Sequence, residues 1–495
     1  MKKLYYVLLG LILGIPGMQS QTITDALRYS QFEFSATGRS VGAGGSFGVL
    51  GADYSLMGSN PAGLAAFRKS EFTFTGGLEN AITDSELLKG ESSVLEEARS
   101  AFTVQNAGLV FSGRPIGSNW KTINFAIGVN RVGNFNQEFY YNGKSQGSIT
   151  DRWLENATGL FPDELESFDP FELYPAYIAS AIYQTANNQG TDTYFTDYQG
   201  TGVQLEKSQT VRTKGGMTEF NIGFAGNYKE KLYVGASLNI PFVSYDEVKR
   251  YEEMDEADEV PAFNNLKYNE FLNTSGAGVN LKLGFIYRVT QAVRLGASVH
   301  TPTRFGLEDN YSSQIEYDFS DPNVPVSGLQ ESPEGIFEYN LVTPWRVNGG
   351  AGFIVGKKGF ISGEVEFVDY SSMRYDFDNG GSDALEFARA LNEDIQNNYQ
   401  SVVNYRLGGE YAHEIFRFRA GLMINGSPYL GDNANQLIYS GGFGIREDWF
   451  FMDLAYQTRS GDERYFPYQL SSGPGQEVQT NWRKTLFTLT IGFKI

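Results

Sequence analysis

The chain has 495 residues, 57 glycines, no cysteine and a formal net charge of −19. The lack of cysteine excludes a disulfide framework, a thiolate metal centre and lipid attachment at a thiol. The acidic balance argues against a nucleic-acid partner, whose binding depends on basic patches.

Only His300 and His413 are present to build a zinc site, a haem ligation or a His-based catalytic site. No metal, no cofactor and no enzymatic activity are expected. Beyond the N-terminus no apolar run reaches the roughly 18 residues of a spanning helix. A membrane protein with this sequence must therefore be a β-barrel.

Residues 1–20 read as a signal peptide: Lys2 and Lys3, an apolar core from Leu4 to Ile15, then Pro16 to Ser20 before Gln21. An uncleaved anchor helix is the alternative, for which the apolar run is short. Residues 21–68 have little periodicity and are rich in Gly and Ala. They are expected to form a hatch, or plug, inside the lumen of a barrel. Gly42 to Gly48 does not match the spacing of a phosphate-binding loop, and no strand–turn–helix unit surrounds it. Compact packing in a narrow lumen accounts for its glycines better.

From residue 69 to 495 strands of alternating character recur. The last is the clearest: Phe487, Leu489, Ile491, Phe493 and Ile495 share one face, and Thr488, Thr490, Gly492 and Lys494 share the other. The expected fold is all-β, a transmembrane antiparallel barrel of about fourteen strands around the hatch. Strands are expected to begin near 103, 216, 275 and 340, among others. Every second connection is short, as at Lys229-Glu230, Lys357-Lys358-Gly359, His413-Glu414 and Glu447-Asp448. Short turns on the periplasmic side and long loops outside place both termini in the periplasm. The long loops are expected at about 142–212, 247–272, 309–337 and 376–400.

Turn geometry sets side chains inward. If Ala412 and Ile415 flank a two-residue turn, Glu410 faces Arg417 as a lumenal ion pair. Gly359 is expected at the left-handed position of its hairpin, which turns Glu364 and Glu366 inward. Arg288, Arg294, Arg346, Arg406, Arg419 and Asp453 also fall on inner faces.

In the loops, Thr150–Ala157 reads as a helix. A second starts at Asp169-Pro170-Phe171-Glu172, and a third, capped by Ser382, carries Leu385, Ala388, Leu391 and Ile395 as a stripe. Phe171, Tyr174, Tyr177, Ile178 and Ile182 form an apolar face. It either packs against other loops or serves as a first capture site for an apolar solute, and the two are compatible. The acidic stretch Asp246–Glu259 reads as a solvated loop, with a weak divalent site as the alternative. His300 with Ser298 on the same face is the only hydrolytic pair in view, and it lacks a third member.

Gly58-Ser-Asn-Pro-Ala-Gly-Leu-Ala65 resembles the hatch of the FadL family of outer-membrane transport proteins, which carries an Asn-Pro-Ala motif matched here by Asn60, Pro61 and Ala62. Ser298–Pro302, Thr343–Arg346 and Tyr405–Gly409 are also similar. The resemblance implies a fourteen-stranded barrel in the outer membrane of a Gram-negative cell, surrounded by lipid and lipopolysaccharide. It implies passive uptake of hydrophobic small molecules, long-chain fatty acids or similar lipids, by loop capture, hatch movement and lateral exit at a kinked third strand. By that analogy the kink falls at Gly133, Asn134 and Asn136. A different role in the same family, binding cargo or the subunits of a protein secretion system, is the alternative.

Overall fold

A computed structural model describes residues 22–33, 36–318, 329–377 and 381–495. The expected signal peptide lies outside the described residues. The chain forms a closed 14-strand antiparallel barrel. The first strand, Glu71–Leu88, shows how it is made. Phe72, Phe74 and Leu78 point outward and are exposed, while Glu71, Thr73, Thr75 and Glu79 are buried inside. An apolar exterior over a polar interior is the pattern of a barrel whose outer surface meets lipid. The last strand, Glu477–Lys494, repeats it, with Phe487, Leu489 and Phe493 outward and Thr488 and Thr490 buried. These two strands pair along the full 18 residues of the first, and so close the wall.

The other strands follow in chain order. The second is Leu95–Gly113, and the third runs Trp120–Asn134 and then Gln137–Ser145. The fourth, fifth and sixth are Leu205–Tyr228, Leu232–Met254 and Asn265–Arg288. The seventh and eighth are each broken once, at 301–303 and 343–345. The ninth to thirteenth begin at Gly359, Ser401, Phe416, Asn435 and Phe450.

Several strands start about ten residues before the apolar alternation does. The second begins at Leu95 rather than near 103, and the fourth at Leu205 rather than near 216. Their outer ends carry Glu, Lys, Arg and Ser, so the lipid signature stops while the hydrogen-bonded ladder continues beyond it. The expected loop 247–272 therefore shrinks to 255–264. Most of the acidic stretch lies on the fifth strand, where Glu253 is buried and accepts from Ser148 Oγ at 2.6 Å. Likewise the seventh strand runs to Asp318, inside the expected loop 309–337.

In the hairpin before the ninth strand Gly359 has a positive φ of +142°, as expected, and Gly356 has one too, at +55°. One turn differs from expectation. The tenth and eleventh strands meet at the pair His413–Phe416, so the turn is Glu414-Ile415 and the register moves by two residues.

Helices cover the outer end. Helix α3, Ile149–Ala157, starts with a capping box between Ser148 and Asp151. A single-turn helix, α4, spans Leu165–Phe168. Asp169 then accepts from the backbone N–H groups of Phe171 and Glu172, both at 3.0 Å, but the helix itself, α5, is Leu173–Ile178. Helix α6 spans Ser382–Asn398, with Ser382 as its first residue rather than its cap. Its inward stripe is Ala384, Phe387, Ala388, Leu391 and Ile395, while Leu385 is exposed.

Candidate functional site: hatch, apolar cluster and an unpaired seam

Residues 22–33 and 36–67 fill the lumen. They form helix α1 (Ile23–Ser30), the short helix α2 (Gly38–Gly42) and two 3-10 turns, Tyr54–Gly58 and Pro61–Ala66. Asn60 starts the second turn. Its Oδ1 accepts from the Ala62 N–H at 3.2 Å, and its Nδ2 donates to the Gly48 carbonyl at 2.8 Å. Pro61 follows at the first helical position, where its missing N–H costs nothing.

The wall is shaped to receive this motif. Gly235 and Gly284 face each other on the fifth and sixth strands. A Cβ on Gly284 would collide with Asn60 Oδ1, and one on Gly235 with the Pro61 carbonyl. On the far side the paired Gly408 and Gly421 leave room for Ala43 and Gly44 in the same way.

Polar side chains then hold the hatch. His300 Nε2 lies 2.6 Å from the Ser59 carbonyl, so the hydrolytic candidate His300–Ser298 has its His engaged with the hatch. Glu364 Oε1 accepts from the Gly48 N–H at 2.5 Å, and Thr490 Oγ1 from the Gly38 N–H at 2.7 Å. Arg346 pairs with Glu366 at 3.3 Å, donates to the Ser30 carbonyl and lies 4.4 Å over the ring of Phe32. Glu410 sits opposite Arg419, with Nε and Oε2 2.7 Å apart, because of the two-residue register change; Arg417 Nε is 3.9 Å from the same carboxylate.

On the loop side of the hatch lies a packed apolar cluster. Helix α1 buries Ala26, Leu27 and Tyr29 there against Tyr245, Phe305, Tyr339 and Leu391 of α6. Tyr375 and Tyr399 donate to the Thr22 and Ile23 carbonyls at 2.7 and 2.9 Å. Glu33, just after α1, accepts from Arg459 at 2.5 Å and from the Asn134 N–H at 3.2 Å.

The wall beside this cluster is not fully hydrogen-bonded. The second and third strands pair from Gly113–Ile123 up to Asn106–Asn130, and there the ladder stops. The third strand is interrupted at Phe135 and Asn136, between Asn134 and Gln137. Its outer half stays paired with the fourth strand but meets the first hairpin again only at Glu91–Lys144 and Ser92–Gly143. Between these points runs an unpaired seam, with Arg131–Asn142 on one side and Leu95–Gln105 on the other. Phe135, at the interruption, stacks edge-on against Tyr29 and Tyr245, so the seam borders the apolar cluster. Gly133, Asn134 and Asn136 all lie at this break. Asn134 Oδ1 accepts from the Asn136 N–H at 3.2 Å, which turns the chain.

The five expected capture residues occupy the outer cover instead of an open patch. Ile182 is fully buried, Phe171 packs on Tyr311 and Tyr177 on Tyr194, while Tyr174 is half-buried; Ile178 alone of the five is exposed.

Three features were not anticipated from the sequence. One is the Glu33–Arg459 pair. The second is an ion pair across the seam, Arg99 Nη1 to Glu138 Oε2 at 3.1 Å. The third is a run of inward amides, Asn106, Asn130, Asn221, Asn239 and Asn280, hydrogen-bonded side chain to side chain across five strands, ending on Thr303 Oγ1. An Asn at the inward position of each successive strand was the available signal for the last.

No family model matches the sequence, and no curated protein does. Solved structures do. A Pseudomonas aeruginosa FadL homologue superposes with a TM-score of 0.57 at 13% identity, covering 94% of this chain and 99% of its own. The Pseudomonas putida toluene transporter TodX gives 0.51 at 12% identity, covering 94% and 99%. The likeness is one of architecture over nearly the whole length of both chains, and the fold of this chain is that of the FadL-like barrels.

Proposed function

We propose that the chain is an outer-membrane channel for the passive uptake of hydrophobic small molecules, with long-chain fatty acids or similar lipids as the expected class. The carrying observation is the unpaired seam beside a packed apolar cluster. A solute that works its way into this cluster has an apolar route sideways into lipid and does not have to cross the polar lumen below. In this reading the outer cover admits the solute, helix α1 and the Asn60-Pro61-Ala62 turn yield, and the seam at Gly133 to Asn136 is the exit. Both termini and the short turns then lie in the periplasm, and the helical cover lies outside.

One solved neighbour is titled a toluene transporter, which supports an apolar solute without deciding its size. The test is uptake of labelled oleate and of labelled toluene by cells lacking the protein and by cells complemented with the wild type or with Asn60→Ala/Pro61→Ala. Complementation should restore uptake of one solute class, and the double variant should change its rate. Uptake unaffected by complete deletion removes the proposal.

A further inference from the structure

The ion pair across the seam has a partner on each side, and the two sides differ in kind. Arg99 belongs to the second strand, on the far lip of the seam. Arg212 belongs to the fourth strand, directly opposite Glu138 in the ladder, and its Nε lies 3.6 Å from the same Oε2. The Glu138–Arg212 contact therefore stays within one hydrogen-bonded sheet, while Glu138–Arg99 spans the gap. Among the described residues, Arg99–Glu138 is the one ion pair that joins the second and third strands.

Resting on the lateral-exit reading above, we infer that Glu138 is a two-position latch. With the seam closed it holds Arg99. With the seam open it keeps Arg212, so parting the lips never leaves its carboxylate without a counter-charge. That matters because an unpaired, partly buried charge is costly, and a shared partner removes this cost from the opening step. Arg99 is half-buried and Arg212 exposed, so the pair across the gap is the less hydrated and the firmer of the two.

The two arginines then have opposite effects. Arg99→Gln removes the closing contact and favours the open seam. Arg212→Gln removes the partner that Glu138 needs when open and favours the closed seam. A residue that merely supported the fold would not produce this opposition.

The experiment measures initial uptake rates of the transported solute in complemented cells at matched surface levels of the full chain. Arg99→Gln should raise the rate about three- to tenfold, and Arg212→Gln should lower it by a similar factor. A third variant, Arg99→Cys/Glu138→Cys, is bridged with a short bifunctional maleimide. The chain has no other cysteine, so the bridge is unique. Bridging should abolish uptake.

If bridging abolishes uptake but both glutamine variants change the rate in the same direction or not at all, the latch is overturned and lateral exit stands. If the bridged protein transports normally, lateral exit itself fails, and the latch with it.

Discussion

His300 Nε2 and the carbonyl oxygen of Ser59 lie 2.6 Å apart, joining the seventh strand of the wall to the residue just before the hatch motif. The ring is buried and the carbonyl can only accept, so Nε2 carries the proton. His300→Leu should leave the Ser59 carbonyl without a donor, a loss of about 1–3 kcal/mol. His300→Gln retains a donor and should lose less. Limited proteolysis of the hatch in the purified barrel measures both, with faster cleavage expected for the leucine variant. Equal cleavage of wild type and His300→Leu would show that this contact does not hold the hatch.

The glycine seat makes a second prediction. Gly284→Ala places a methyl group against Asn60 Oδ1, and neither backbone can retreat freely. Overpacking of this kind costs about 1–3 kcal/mol. Because the strain falls between wall and hatch, it should displace the hatch and leave the barrel closed. Single-channel recordings should show new conductance in Gly284→Ala while the melting temperature of the barrel stays near that of the wild type. Gly349→Ala, at a position with open space around it, is the control and should remain silent.

Arg419 is bound by two carboxylates, Glu410 at 2.7 Å and Asp453 at 2.6 Å, and its side chain is fully buried. Arg419→Met leaves both acids without their main partner, and breaking a buried pair in this way costs about 3–5 kcal/mol. Arg417→Met removes a contact of 3.9 Å from a more hydrated side chain and should cost below about 1 kcal/mol. Denaturant unfolding of the two variants in detergent gives the ranking directly. A larger loss for Arg417→Met would contradict the register.

Glu33 ties the N-terminal segment to Arg459. Burial raises the pKa of its carboxyl, but Arg459 and Lys484 lower it more, and the net direction is below the ordinary value. A depressed carboxylate pKa contributes stability that is fully present above the unfolded value, about 4.3, and is lost as pH falls through the lower folded value. A spin label on the exposed Gln31, beside the tether, should therefore report an immobile chain at neutral pH and a mobile one in acid below about pH 4. Glu33→Gln should be mobile at both, and a label insensitive to acid in the wild type would refute the tether.

Some of this was legible in the sequence and some was not, for physical reasons. The alternation in Phe487–Ile495 shows its inner and outer faces because lipid and lumen demand opposite residue types at period two. The outer ends of the strands were missed because beyond the lipid band that demand ends: Leu95–Ser100 is strand by its hydrogen bonds, with nothing in its polarity to say so. Asn60-Pro61-Ala62 was legible because a cap residue and a proline are local signals. The wall glycines opposite it were legible as a class, but their pairing with particular hatch residues was not, since it depends on register. Register also misplaced Glu410. One residue of error at each side of the turn turned Arg419 into Arg417. The Arg99–Glu138 pair joins residues on strands that share no ladder at that level, and no rule of spacing connects them.

The hatch comes first in the chain, yet it is hydrogen-bonded to the last strand: the Gly38 N–H and Thr490 Oγ1 are separated by 452 positions. The wall is closed by the first strand meeting that same last strand. The hatch therefore cannot find its full set of partners until nearly all of the polypeptide is in place, and contacts so distant in sequence form late. Closing the wall and completing the seat of the hatch are therefore one late event, and the barrel shuts on its own contents.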